Sequence, residues 1–391
     1  MTANRATFAE IHLGSFRQNL KSIKSLLDNH IKTMAVIKAD AYGHGAIQCA
    51  RAATEEQVDY IGVGIIQEGI ELRESGINTP ILILGGIYTN EVESLVKYNL
   101  STSLSSSAIA TSISEQAVRA NKIVSVHIKI DTGMGRLGVQ PNEFAELLDQ
   151  VSKFKNIKLE GVFTHLSSAD EEDPKRTHNQ LSIFSNILKK LRESNYSKVF
   201  GINDHTLFHI ANTAGLIRFP ESRFNLVRPG ISLYGSFPSP LISSKFDFLT
   251  NEKGIEKLQP VMNWKTKIIQ IHSLHKGAPL SYGGRYVTKN DANLIATIPV
   301  GYADGLNRHL SNNMELLVKG KRVKQVGTIC MDMCLIDITN LPDVNTEDEV
   351  VIIGNQGNDQ IKVEDLAARA RTIPYEILCG VGKRVPRVYI P

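Results

Sequence analysis

Residues 34–45 read Met34-Ala35-Val36-Ile37-Lys38-Ala39-Asp40-Ala41-Tyr42-Gly43-His44-Gly45. The apolar run has the character of a buried strand, and it delivers Lys38 into a glycine-flanked turn. An unpaired buried ammonium is expensive. Lys38 therefore either snorkels to solvent or meets a chemical partner at the end of its strand. A lysine held in an apolar mouth can lose its proton and form a Schiff base. Tyr42 follows four residues later, and the small residues of the turn let backbone approach a ligand closely.

Moving outward, the same kind of run recurs. Apolar stretches at 33–37, 59–64, 80–85, 99–104, 123–130, 159–165, 207–211 and 225–234 alternate with helical periodicity at 14–28, 44–55, 66–75, 105–120, 142–153 and 178–194. Eight strands alternating with helices predict a (β/α)8 TIM-like barrel. Residues 236–257 show no period and read as a connection. Beyond 259 the segments turn short and β-rich, with a helical signal only near 363–370. The chain thus divides into residues 1–240, a (β/α)8 barrel domain, and residues 241–391, a mostly β C-terminal domain. The opening strand at 6–12 precedes the first barrel helix and is free to pair with the second domain.

The 391 residues carry a net charge of +4, with the basic residues dispersed. That pattern gives no nucleic-acid patch and no membrane surface. No apolar run reaches the length of a membrane span, and Met1–Arg5 lacks the apolar core of a signal peptide. The four cysteines suit reduced thiols rather than a disulfide framework. The cytoplasm is the expected compartment. No metal site is expected, since His205 and His209 lack the glutamate of a helical zinc motif. Gly133 to Gly138 fits a dinucleotide fingerprint with Glu160 about twenty residues on. However, Pro141 and Asn142 start the next helix too late to meet a pyrophosphate.

In a barrel, chemistry gathers at the carboxyl ends of the strands. Lys38, Arg136, His165, Asn212, Thr213 and the stretch Arg228 to Ile231 all fall there. Thr213 offers a hydroxyl, and Gly230 and Ile231 offer backbone amides, to a phosphate held after the last two strands.

The chain resembles the alanine racemases, enzymes that use pyridoxal 5'-phosphate (PLP). Residues 34–45 look like that family's PLP-lysine motif. The likeness continues at Lys129 to Gly138, Thr164-His165, Ala211 to Ala214, Val227 to Ile231, Ser281-Tyr282-Gly283, Gly301 to Gly305, Cys330-Met331-Asp332 and Pro374-Tyr375-Glu376. These stretches occur in family order over essentially the whole chain.

The resemblance implies that Lys38 carries the cofactor. It assigns Tyr42, Thr213, Gly230, Ile231 and Tyr375 to the phosphate, and Asn212 and His165 to the cofactor's surroundings. Arg228 would face the pyridine nitrogen. A guanidinium has donors only, so that nitrogen would stay unprotonated and the ring a weaker electron sink, which suits racemisation. Inversion needs a base on each face of Cα. The resemblance makes Lys38 one of them and Tyr282, reaching into the barrel of a homodimer partner, the other. L-alanine would lose its proton to Tyr282 and gain one from Lys38. A phenol ordinarily titrates near ~10, so such a base needs cations nearby.

Arg136 would pair with the substrate carboxylate or the cofactor phenolate, Met331 of the partner subunit would contact the substrate carboxylate, and Tyr302 and Tyr375 would narrow the pocket towards a methyl group. Lys129 matches a lysine that can be carbamylated to hold Arg136. Thr328 stands where the family often has arginine. The implied reaction interconverts L- and D-alanine and supplies D-alanine for bacterial cell-wall precursors. Rival readings are a serine or lysine racemase on the same fold and a non-enzymatic PLP carrier. A PLP decarboxylase of similar architecture should carry an acid in place of Arg228.

Overall fold

The computed structural model describes residues 5–391. Met1 to Asn4, part of the stretch read above for a signal-peptide core, lie outside the described residues. The first strand, β1 (Phe8–His12), is followed by eight parallel strands: β2 (Lys32–Val36), β3 (Tyr60–Val63), β4 (Ile81–Ile83), β5 (Ser101–Leu104), β6 (Val124–Lys129), β7 (Ile157–Phe163), β8 (Leu207–His209) and β9 (Leu226–Val227). Parallel ladders run from β2 round to β8, and β9 returns to pair with β2. These strands read as near-continuous apolar runs because the barrel interior covers one face and helices cover the other. The helix Leu13–Lys24 shows the matching pattern, with Phe16, Leu20 and Ile23 on its buried face. Each such side chain contributes roughly 1.5–3 kcal/mol of burial.

The ring is not closed by a ladder between β8 and β9. There, Asn225 accepts from Phe208 N (2.7 Å) and donates to Thr206 O (2.8 Å). One backbone bond, Arg228 N to Ala211 O (3.0 Å), completes the seam. The sequence predicted a strand over 225–234, but only Leu226 and Val227 are extended. Pro229 has no N–H for a ladder, and the chain turns into a 3-10 segment at Ile231–Tyr234.

Residues 236–257, expected as a connection, contain the helix Pro240–Lys253. Proline at its first position and a left-handed Gly254 at its end bound it. Its buried residues Ile242, Phe246 and Thr250 recur every four positions. The stripe is one residue wide, too narrow to show as a period.

The second layer is a ten-stranded, largely antiparallel sheet. β1 joins it, antiparallel to β10 (Met262–Lys267) and parallel to Arg387–Ile390. Asn19 ties the barrel to the linker, donating to Leu233 O and Gln259 O and accepting from Gln259 N. The helix Pro374–Gly380 leans back over the barrel mouth and brings Tyr375 within ring contact of Tyr42 (5.8 Å).

Candidate active site

A cavity of about 420 Å³ opens at the carboxyl ends of the barrel strands. Lys38 stands at its mouth, two residues past β2. The turn that follows is a left-handed helical turn of four non-glycine residues, Ala39 to Tyr42, with φ between 52° and 54°. Such residues are disfavoured by roughly 1–2 kcal/mol each. The turn is held by Glu68, which accepts from Ala39 N (2.6 Å), and by Asp40, which accepts from Ala46 N (2.7 Å). It aims Lys38 into the cavity and lays Tyr42 along the wall. Enclosure by the protein lowers the Lys38 pKa, and the nearby Arg136 and Arg228 guanidiniums lower it further.

Three more cations share the cavity, and none has a carboxylate partner among the described residues. Burial pulls Lys129 down to about 8, helped by Arg136 and Arg228. Its ammonium lies 5.3 Å from the Phe163 ring centroid, and the Arg228 guanidinium lies 5.4 Å from the same ring. Phe163 thus carries two cations on its π-face.

Arg228 is almost wholly buried and bonded to neutral acceptors. It donates to Thr164 O (2.8 Å) and Ile210 O (3.1 Å), and reaches His209 Nδ1 (2.7 Å) and, more loosely, His165 Nδ1 (3.3 Å). Burial and the surrounding cations hold His209 and His165 neutral. Because arginine only donates, His209 Nδ1 must accept, which assigns its proton to Nε2. That proton points at His127 Nδ1 (2.9 Å), and His127 Nε2 meets Glu160 (3.4 Å).

Arg136 rides on the loop after β6. Asp131 collects the backbone N–H groups of Gly133, Met134, Gly135 and Arg136 at 2.8–3.2 Å. Burial alone would raise its carboxyl, but these four donors hold it below the usual range.

At the opposite wall Asn212 caps the helix Thr213–Arg218, accepting from Gly215 N (2.9 Å). Thr213 Oγ1 accepts from Gly230 N (3.0 Å) and lies 3.2 Å from Ser232 Oγ. The Gly230 amide, expected to be free for a ligand, is therefore engaged through Thr213. A Cβ at residue 230 would come within 2.6 Å of the Tyr42 hydroxyl, so only glycine admits this approach.

The cavity brings together Lys38, Tyr42, Lys129, Arg136, His165, Asn212, Thr213, Arg228, Gly230, Ile231 and Tyr375. Tyr282, Tyr302 and Met331 are absent from its lining. They stand on the β domain with 73%, 43% and 53% of their surfaces exposed. Tyr302 and Met331 share one scaffold, since Tyr302 N and Ala303 N donate to Cys330 O and Met331 O. Buried Asp304 anchors it through Arg5 and Arg384.

Sequence reasoning missed Asp131, Phe163, His127 and His209 as supports of the site. In the sequence His209 stands out only as a possible metal ligand, and its neighbours give no sign of Arg228. Asp131, two residues after Lys129 and ahead of three glycines, carried the pattern of a loop-pinning carboxylate.

A parallel barrel with a depressed lysine at its first strand end, a donor-only arginine opposite and a β domain beyond defines a class of barrel enzymes acting on small anionic amines. Residues 11–238 match the alanine racemase N-terminal domain and residues 261–389 the alanine racemase C-terminal domain. An alanine racemase of Halothermothrix orenii is 42% identical over 98% of this chain and 97% of its own length. One from Thermodesulfovibrio yellowstonii is 43% identical, with the same coverage. The solved alanine racemase of Clostridium difficile 630 superposes with a TM-score of 0.90 at 38% identity, covering 100% of this chain and 97% of that one. The chain belongs to the alanine racemase family.

Proposed function

We propose that this protein is a PLP-dependent alanine racemase that interconverts L- and D-alanine and supplies D-alanine for cell-wall precursors. The observation that carries the reading is the barrel mouth, where a pKa-lowered Lys38 faces three cations that have no acid to neutralise them. A ligand with several negative charges and an amine-reactive carbonyl fits that donor set. Tyr42, Thr213, Ile231 and Tyr375 would hold the phosphate, joined by Gly230 once its amide turns from Thr213 to the ligand, Asn212 and His165 would line the ring, and Lys38 would bond the cofactor covalently. When bound, PLP supplies an electron sink that acidifies the substrate's Cα proton.

The protein's own groups do the rest. Lys38, with its depressed pKa, takes or returns a proton on one face of Cα. Tyr282 serves the other face from the partner of a homodimer. Arg136 and Met331 bind the substrate carboxylate, and Tyr302 and Tyr375 limit the side chain to about a methyl group. Arg228 offers hydrogen bonds without giving up a proton, which favours rapid reprotonation of Cα over side reactions. Lys129, its pKa lowered to about 8 by burial and by Arg136, sheds its proton more readily than an ordinary lysine, and its free amine would capture CO2 as a carbamate that neutralises that arginine.

We assign residues 1–240 to the barrel domain, with β1 paired into the sheet of the second, and 241–391 to the β domain, and place the enzyme in the cytoplasm. Among the described residues no helix is long and apolar enough to cross a membrane.

The test is Cα-proton exchange of L-alanine in D2O, followed by NMR and chiral analysis, for the wild type and Lys38→Ala. Exchange matched by D-alanine formation, and lost in the variant, is expected. PLP bound without exchange would sink the alanine reading. The same assay on serine and lysine would then separate a different racemase from a carrier.

A further inference from the structure

Tyr282 leaves the β domain from an unusual backbone. The residue before it, Ser281, sits at φ 61°, ψ −173°, a region essentially reserved for glycine. Such a conformation persists only where the surroundings over-determine it, and here Thr328 makes the two shortest bonds, beside a looser contact of the Ser281 hydroxyl with Cys330 Sγ (3.4 Å) and the turn bond from Gly284 N to Ser281 O (3.2 Å). The Ser281 hydroxyl donates to Thr328 O (2.6 Å), and the Thr328 hydroxyl donates to Tyr282 O (3.0 Å). The two bonds form a reciprocal clamp across the first residue of the turn that presents the phenol.

The clamp rests on firm ground. Thr328 is 1% exposed. Its neighbours are tied to one short segment: Gly327 N donates to Asn312 Oδ1 (2.6 Å) and Ile329 N donates to Ser311 Oγ (3.0 Å). Gly327 lies at φ 77°, and a Cβ there would come within 2.9 Å of the Ser281 Cβ. The Tyr282 side chain itself is exposed, so its direction within its own subunit is set by this backbone.

We propose that Ser281 and Thr328 are positioning residues that fix the direction in which Tyr282 projects, and so set the rate of the half-reaction on its face of Cα. The inference rests on Tyr282 being the second acid–base group. It gives Thr328, the position at which the family often carries arginine, a task that a threonine hydroxyl performs through the backbone. The phenol oxygen is the far end of a long lever, and a misplacement of about 1 Å at a reacting group can cost about 100-fold.

Thr328→Val removes the hydroxyl at nearly constant shape, and Thr328→Ser retains it. In the PLP-loaded enzyme, Thr328→Val should lower kcat/KM roughly 10- to 100-fold in both directions, because the equilibrium constant ties them together. The discriminating readout is the primary deuterium isotope effect with Cα-deuterated substrate. It should rise for L-alanine, whose proton Tyr282 removes, and fall for D-alanine, whose proton Lys38 removes. Thr328→Ser should restore the wild-type pattern. Ser281→Ala, which breaks the other half of the clamp, should shift both isotope effects in the same directions and stands in if the valine variant does not fold.

Wild-type rates in Thr328→Val, or reduced rates with both isotope effects unchanged, would overturn the proposal. Tyr282→Phe separates the two ideas. If it racemises normally, the acid–base assignment fails. If it is inactive while Thr328→Val keeps wild-type isotope effects, only the clamp fails.

Discussion

The barrel mouth and the exposed face of the β domain handle polar groups in opposite ways. At the mouth, Lys38, Lys129, Arg136 and Arg228 crowd together without carboxylates, and the left-handed turn after Lys38 stores strain. Neutral histidines, backbone carbonyls and one aromatic face hold the cations in place. On the β domain, Tyr282, Tyr302 and Met331 stand in solvent, and only their backbones are fixed. The difference teaches where preorganisation resides. The barrel has arranged its charges in advance of any ligand, whereas on the β domain only the backbones of these residues are arranged.

The sharpest way to break this contrast is to separate the two halves genetically. Lys38→Ala and Tyr282→Phe should each lose at least about 100-fold in activity. Mixed, unfolded and refolded together, they should recover about a quarter of wild-type activity, because half of the dimers are mixed and each has one intact site. No recovery would mean that Tyr282 serves the barrel of its own chain.

A smaller effect concerns Lys129. Its folded pKa of about 8 lies below the ordinary value of 10.5, so the unfolded chain binds the extra proton and folding is disfavoured while the lysine is charged. The penalty is fully present below about 8 and fades as pH rises from there through the ordinary lysine value. Lys129→Met should therefore gain up to about 3 kcal/mol in urea unfolding at neutral pH in CO2-free buffer. The two stability curves should converge at alkaline pH. With 13C-bicarbonate, a carbamate NMR signal seen in the wild type should vanish in this variant.

His209→Phe would leave an Arg228 N–H without its acceptor, which costs about 1–3 kcal/mol. Urea unfolding of the protein without ligand measures it, and no change would mean that water replaces His209 readily. The smallest effect belongs to Asp131. Its lowered pKa adds stability above the ordinary carboxylate value, and that stability is lost as pH falls through the folded value. Asp131→Asn should narrow the acid-stability range by about 1 kcal/mol and raise KM for alanine more than it lowers kcat, as the Arg136 loop loosens.

Features with a local signature were legible in the sequence. The alternation of apolar runs and helices gives the barrel and places Lys38 and Arg228 near strand ends and Arg136 beyond one, while the roles expected of them come from the family resemblance. The contacts that tune them were not. Arg228, His209, His127 and Glu160 come from separate strands, and nothing in the sequence between His127 and His209, 82 positions apart, hints that their rings touch. The left-handed turn was equally hidden, since Ala39, Asp40, Ala41 and Tyr42 have no intrinsic preference for positive φ. Tertiary bonds from Glu68 and Arg387 impose it.

The pairing of β1 bears on how the molecule is made. Phe8–His12 is complete early in synthesis, yet its ladder partners lie at 262–267 and 387–390. Closing a loop of that size is slow, so β1 must remain unpaired while the barrel assembles behind it. An unpaired strand of this kind is an open edge, with one side exposed until β10 emerges and the other until almost the whole sequence has been made. The last β-domain strand closes that edge, and shortening the chain there would leave β1 held by β10 alone with its other side open.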